Sequence, residues 1–431
     1  MTSKIIVNNI ESDVGISSVT FNDTISGDLE GNINSSGTST FNVISGVSTI
    51  GVTTVHLTGI NDLSYPTAGP LSKRNLIING SFMVSQRSTS ETVSGQGADM
   101  RTVDRFSAKF FGSGWASNHS TESQSTDAPP GHSHSYKVLA DVAQDYSSAL
   151  GSWIQYSFEG NQLLPLKTAN LGYKEFTISF WLKSNKTGNV TVSGETAGQG
   201  HCFSTTVSIN AANTWEYKTV TFPASPSSQL SEAEFRSVDA EFNIKWGLGS
   251  NGSWLVGTDE SWQPYATNRG ALSSLQTNFQ QSANDYLAIG GIQMEAGSNA
   301  TEFEYCSYAE ELTLCQRYYQ TSFTSSPGTG NTDNTGLVLA GGSTTGNTTT
   351  FLGPAHVQLA PSMRAAPTVT IYDLATPRAT GNVHRHTYGS AGSNGNTAVV
   401  TDINQHSFIV RSDSGISASG IIFHYEVESE L

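Results

Sequence analysis

Charge is scarce in this chain. Asp, Glu, Lys and Arg make up 13% of its 431 residues, about half the ~25% of an ordinary soluble domain. The balance is acidic, with a formal net charge of -15. No basic patch is left to meet phosphates, which excludes nucleic-acid binding. No apolar run approaches the ~18–20 residues of a membrane span, so no membrane insertion is expected. The opening residues, Met-Thr-Ser-Lys-Ile-Ile-Val, lack the long apolar stretch of a secretion signal. The three cysteines, Cys202, Cys306 and Cys315, make neither a disulfide framework nor a Cys-x-x-Cys site. They read as small hydrophobes of a chain that folds in a reducing cytoplasm.

Catalytic signatures are missing too. No Gly-x-Ser-x-Gly elbow, phosphate-binding loop or zinc-protease motif occurs. Carboxylates are plentiful, but nothing singles out an acid/base pair for glycan hydrolysis. Glu310 and Glu311 are adjacent on an expected helix and point in different directions. The chain is therefore expected not to be an enzyme.

Ser, Thr, Asn and Gly take the place of charge, residues suited to turns and short strands. A 10% aromatic content argues against a disordered chain. From Gly31 to Asn61 there is no charged residue, and Phe41, Val43, Val47, Ile50, Val52, Val55, Leu57 and Ile60 recur every two to four positions. One such strip cannot bury its apolar side alone. It is either a linker or a shaft intertwined with identical copies. Two prolines and a glycine at 64–70 then mark a boundary.

Residues 74–306 alternate with a period of two at 176–183, 190–193, 215–222, 241–246 and 286–294, each run bounded by Gly, Asn or Pro. Many short strands at this spacing predict a β-sandwich of the jelly-roll kind. Ser307 and Glu310 have capping-box spacing, which predicts a helix over 307–320. Tyr308, Leu312, Cys315 and Tyr319 would share one face, packed on the sandwich or on sister chains. A loop over 320–335 and strands at 367–373, 397–401, 407–411 and 421–427 complete a C-terminal β domain, 321–431. The fold class is thus all-β: an N-terminal repetitive segment over 1–73, a sandwich, one short helix and a C-terminal β-sandwich head.

Certain strings resemble known proteins. Asn-Leu-Ile-Ile-Asn-Gly-Ser-Phe at 75–82 with Gln86-Arg87, Val-Asp-Arg-Phe at 103–106 and Ser-Tyr-Lys-Val at 135–138 resemble sandwich modules of tailed-phage fibres. The strongest likeness is Gly-Ile-Gln-Met-Glu-Ala-Gly-Ser-Asn-Ala-Thr-Glu-Phe-Glu at 291–304, running into 308–319. Residues 360–371 and 425–431 resemble the terminal domain that follows it. The sandwich is also similar to carbohydrate-binding modules of the galactose-binding jelly-roll type. Those often carry a calcium-binding carboxylate where this chain has Met83.

The resemblance implies a virion tail fibre, made in the host cytoplasm, that attaches to host-surface glycans as a homotrimer. Its N-terminus would join other tail or capsid proteins. The alternative is a purely structural appendage, a capsid-decorating fibre or tail assembly component. Flat aromatic side chains stack on sugar rings, so Trp254, Trp262 and Tyr265, in a Gly/Ser/Asn-rich stretch, are the candidate carbohydrate contacts. The other reading is that they plug the end of the sandwich core; Trp181 and Trp246, in alternating strands, are expected within that core. Two His-x-His pairs stand out, His132/His134 and His384/His386. In an extended segment each pair projects to one side. Phage fibres stack such pairs around a threefold axis, so His384 and His386 either hold a transition metal there or are ordinary surface residues. No other cofactor is expected.

Overall fold

The computed structural model describes residues 59–60, 63–64, 72–97, 102–146, 150–196, 200–251, 254–255, 259–264, 272–324, 326–341, 354–387, 390–413 and 420–431. All belong to one unit, His56–Leu431. The charge-free strip expected to form a shaft lies outside them apart from a two-residue strand, β1 (Gly59–Ile60), paired with β2 (Leu63–Ser64).

The described residues are all-β apart from one α-helix and short 3-10 turns. Among the described residues twelve strands build the sandwich. They are β3 (Ser90–Val93), β4 (Phe106–Phe111), β5 (Ser120–Ser125), β6 (Ser135–Ala140), β7 (Gly151–Glu159), β8 (Phe176–Ser184), β9 (Gly188–Thr196), β10 (His201–Ile209), β11 (Glu216–Phe222), β12 (Ala240–Ser250), β13 (Gln263–Pro264) and β14 (Tyr286–Ala296). They form two six-stranded sheets, in the orders β11-β8-β14-β6-β5-β3 and β13-β10-β9-β12-β7-β4.

The period-two runs decide which side faces inward. Phe176, Ile178, Phe180 and Leu182 of β8 meet Ile154, Tyr156 and Phe158 of β7 and Phe242, Ile244, Trp246 and Leu248 of β12 in one buried cluster. The residues between them point away from it. Trp246 is in the core as expected, but Trp181 is not: it pairs with Tyr217 and Gly290 on the outer side of its sheet. Its run alternates, and Trp181 falls on the same parity as Thr177, Ser179 and Lys183.

The helix α1 (Tyr308–Gln316) starts at the expected cap, with the Ser307 hydroxyl accepting from the Glu310 N–H and the Glu310 carboxylate accepting from the Ser307 N–H. It packs on the sandwich through Cys315 and partly through Leu312. Tyr308 is exposed. Tyr319 is buried, but it belongs to β15 (Tyr319–Thr321) and not to the helix, so the loop expected over 320–335 begins with a strand.

The second β unit adds β16 (Val338–Gly341), β17 (Ala355–Gln358), β18 (Thr368–Tyr372), β19 (Asn382–Thr387), β20 (Ser390–Thr401), β21 (Ser407–Ser412) and β22 (Gly420–Glu428). Their order is β15-β22-β19-β20-β21-β17, with β16 and β18 also pairing β22. Its separate core holds Val357, Leu359, Met363, Ile371, Val383, Phe408, Val410, Ile421, Phe423 and Val427.

The two cores are joined by buried charge. Arg105 has no exposed side-chain surface, and its Nη1 lies 2.6 Å from Glu430 Oε2. Its Nη2 donates to the Ser157 carbonyl at 2.8 Å, and its guanidinium lies 3.5 Å from the centre of the Tyr318 ring. Arg87 reaches Glu430 at 3.3 Å and Asp104 at 3.6 Å, over the Tyr319 ring. Tyr318 donates to Glu159, and the Glu311 carboxylate accepts from the Asn79 N–H. Arg364 donates to the carbonyls of Ser429 and Glu430, and Leu431 packs against the sandwich core.

A buried ion pair that loses one member leaves a bare charge, at a cost of about 3–5 kcal/mol. Glu430→Ala is therefore expected to destabilise the protein by that order in urea denaturation. The Arg105→Met/Glu430→Leu double variant should lose less than the sum of its single changes. His424 supplies a pH test. Its fully buried ring stacks on Phe323, with Nε2 donating to the Asp333 carbonyl at 3.1 Å and Nδ1 at 2.9 Å from Ser322 Oγ. Burial, helped by nearby Arg378, lowers its pKa, with the Asp333 groups opposing. The unfolded chain then takes up the proton first. Stability is complete above the ordinary histidine pKa of about 6.5 and is lost as pH falls below it. Denaturation between pH 5.5 and 7.5 should show this slope in the wild type and a shallower one in His424→Gln, the remainder coming from His132, whose pKa burial also lowers.

Candidate functional site

The outward residues of β7, β12 and β9 fall into register across three neighbouring strands. Ser157 faces Asn243, which faces Glu195; Gln155 faces Lys245, which faces Ser193. Their side chains close a circuit. Trp153 Nε1 donates to Gln155 Oε1 at 3.0 Å. Gln155 Nε2 donates to Asn243 Oδ1 at 3.2 Å, and Ser157 Oγ donates to the same oxygen at 2.7 Å. Asn243 Nδ2 donates to Glu195 Oε1 at 3.2 Å. Lys245 Nζ is 2.7 Å from Glu195 Oε2 and 4.7 Å from the centre of the Trp153 ring.

Gln155, Asn243 and Glu195 remain partly open to solvent, while Lys245, at 1% exposure, lies beneath them. Burial lowers the Lys245 pKa against the pull of Glu195. Cys202 sits beside the pair on β10, and burial pushes its thiol up to about 11. Asp259 accepts from Ser204 at 2.7 Å and from Ser273 at 2.5 Å. At the far end of the row, Arg317 reaches the buried Glu159 at 3.3 Å.

An aromatic shelf adjoins the circuit. Trp153 stacks on Phe111 with centroids 5.1 Å apart, and Trp254 leans on both at 6.0 and 5.6 Å. Trp254 lies over Gly151, where a Cβ would fall 2.6 Å from its Cγ. Of the sequence candidates, Trp254 thus stands at this shelf, half-buried. Trp262 lies elsewhere: its ring meets Tyr173 and Phe203 of the core side, and its Nε1 donates to the Pro223 carbonyl at 2.9 Å. Three strand steps separate β10 from β7, roughly 14 Å, so the two indoles share no wall. Tyr265 lies outside the described residues.

His384 and His386 lie on β19 beside β22. His384 Nδ1 is 2.7 Å from Asn394 Oδ1. Its Nε2 faces Gly392, where a Cβ would fall 2.2 Å away. Both its nitrogens are turned into its own sheet, and His386 alone is exposed. The pair as placed does not fit a shared metal. Among the described residues no group of three or more His, Cys, Asp or Glu converges on a point that could hold one.

The circuit was not found from sequence, although Glu241, Asn243 and Lys245 alternate with core residues. Alternation marks an outward residue, but only register shows which strands lie alongside it.

No family model matches the chain, and no curated protein matches it. Among solved structures, the enzymatically active domain of tailspike protein 4 of bacteriophage CBA120 is 13% identical over 51% of this chain and 21% of its own, with a TM-score of 0.25. A putative sugar binding protein from Bacteroides thetaiotaomicron is 10% identical over 52% of this chain and all of its own, at 0.30. A family 11 carbohydrate-binding module from Clostridium thermocellum, in complex with a β-1,3-1,4-mixed-linked tetrasaccharide, is 11% identical over 48% and 100%, at 0.24. At these scores none of them assigns a ligand to this chain.

Gly151→Ala should lift the Trp254 indole off its seat. Overpacking of this kind costs about 1–3 kcal/mol. Urea denaturation should record the loss, and tryptophan emission should shift to the red as Trp254 gains solvent.

Proposed function

We propose that this chain is a phage virion appendage, a homotrimeric tail fibre that attaches to the host surface by binding glycans. The contact is the outer face of β7, β12 and β9. One observation carries this reading. Two amides and a carboxylate, partly open to solvent, are held in fixed rotamers by a buried hydroxyl and a buried ammonium, beside the partly open rings of Phe111 and Trp254 that lie against the buried Trp153. A sugar offers hydroxyls that both give and take hydrogen bonds, and C–H faces that rest on rings. Side chains already ordered by each other lose little entropy when they meet it. The virion role and the partners, tail or capsid proteins at the N-terminal end, rest on the strings at 75–106, 291–319 and 425–431.

The reading is of binding without turnover. Hydrolysis needs a carboxylic acid and a carboxylate free to face one bond. Here Glu195 is tied to Lys245 and Asn243, and Glu159 to Tyr318 and Arg317. The partly open amides of the circuit support a receptor contact over a purely structural part, because hydrogen bonds between solvent-accessible groups add little to stability.

Three measurements test the reading together. Light scattering of the full chain should give three copies; a stable monomer at micromolar concentration would refute the trimer. Host surface polysaccharide should be retained by the immobilised protein and recovered at its original length. Asn243→Ala and Gln155→Ala should each weaken retention about tenfold, the scale of one or two lost hydrogen bonds, with the sandwich still folded at the assay temperature by circular dichroism.

A further inference from the structure

The other sheet has its own unusual outer face. Outward positions of β8 carry Ser179, Trp181 and Lys183. Lys183 faces Ala288 of β14, which faces Lys137 of β6, and Trp181 faces Tyr217 of β11. The 126–134 segment crosses above them and lowers Asp127 onto the sheet. Both Asp127 oxygens meet Lys183 Nζ, at 3.0 and 2.7 Å, and Oδ1 also accepts from Trp215 Nε1 at 3.1 Å. The Asp127 side chain is nevertheless 52% exposed.

Rings surround this pair. The Lys183 ammonium is 5.9 Å from the Trp215 ring, and that of Lys137 is 4.4 Å from the Tyr286 ring. Tyr286 donates to Asn213 at 3.0 Å. Trp181 and Tyr217 lie 5.3 Å apart, and Tyr217 is 46% exposed. Lys137 makes no ion pair within 4.0 Å among the described residues.

Stability does not account for such an arrangement. An exposed ion pair contributes only ~0–1 kcal/mol, and four half-open rings forgo burial they could have had. A protein partner fits poorly as well, since the centre of a protein–protein patch is depleted of charge, and here charge sits at the centre. Fixed donors and acceptors ringed by flat faces suit a polyhydroxylated ring.

We propose that Asp127, Lys183 and Trp215, with Trp181, Tyr217 and Tyr286 around them, form a second carbohydrate site, on the side of the sandwich opposite the circuit. It takes a pyranose with two adjacent hydroxyls. Asp127 accepts from one, Lys183 donates to the next, and the apolar face of the ring rests on Trp215. The site stands independently of the circuit, so either can fail alone.

The test uses the full chain on an array of soluble polysaccharides and their oligosaccharides: laminarin, β-1,4-galactan, mannan, xylan, agarose fragments and bacterial capsular polymers. Wild type, Trp215→Ala, Asp127→Asn and Asn243→Ala are compared. Trp215→Ala and Asp127→Asn should each lower retention of at least one glycan tenfold or more while Asn243→Ala leaves that glycan bound. Asp127→Asn keeps shape and exposure, so its loss cannot be laid to misfolding. If both Asp127 and Trp215 variants hold every glycan as the wild type does, or if the wild type holds none, the second site is wrong. Glycans lost only in Asn243→Ala uphold the circuit and reject this site; glycans lost only in the Asp127 and Trp215 variants do the reverse.

Discussion

The Arg105–Glu430 pair holds the described structure together. A guanidinium with no exposed surface has few affordable arrangements: it needs a carboxylate, further acceptors and a flat face to lie on. Arg105 finds all three, in Glu430, the Ser157 carbonyl and Tyr318. Each partner comes from a different part of the fold. Glu430 follows the last strand of the C-terminal sheet, Ser157 belongs to a central sandwich strand, and Tyr318 follows α1. Satisfying one charge therefore fixes the helix, the sandwich and the second sheet relative to one another. The Ser157 whose carbonyl is used here carries a hydroxyl that works in the polar circuit. The candidate site is thus one residue deep from the junction.

That junction explains what the recognisable strings encode. Asn79, Gln86, Arg87, Asp104, Arg105, Glu311, Arg317, Tyr318 and Glu430 all lie in strings that resemble phage fibres, and all are engaged where the units meet. Such strings are specific because a buried ionic joint tolerates few substitutions. They report an architecture of sandwich, helix and second sheet. They say little about the ligand, because the outer faces obey no such constraint.

Period-two alternation made most strands and the all-β class legible, since one buried face imposes that pattern on any sheet. Ser307 and Glu310 announced the helix start through local geometry alone. Errors arose where parity or breakage decided. Trp181 reads as core because it sits in an alternating strand, yet its neighbours' parity places it outside. Tyr319 continued the helical spacing, yet the chain turns at Arg317 and Tyr319 pairs with β22 instead. The aromatic candidates came from a Gly/Ser/Asn-rich stretch that leaves two readings open: Trp254 stands at the shelf, and Trp262 takes the other, packed against the core. The circuit itself needs residues about 40 to 90 positions apart to meet, and no local signal carries that pairing. His384 and His386 were correctly extended, but Asn394 and Gly392, which engage the first ring, come from the neighbouring strand.

A sandwich has two outer faces, and this one spends polar and aromatic side chains on both. On one side the amides are tied to each other; on the other an aspartate is tied to a lysine and an indole. In a chain with so little charge, that concentration is informative: of its 21 Lys and Arg residues, Lys137, Lys183, Lys245 and Arg317 stand at these two surfaces. Single sugar contacts are weak, because each hydrogen bond gained replaces one to water. Two faces on one rigid body, repeated in three copies, would convert weak contacts into lasting attachment through effective concentration alone. The gain requires that the faces not move relative to one another, and the single core packed between the two sheets meets that requirement. On the proposed reading, many weak contacts held on rigid bodies would give adhesion that is reversible at each contact and persistent in sum.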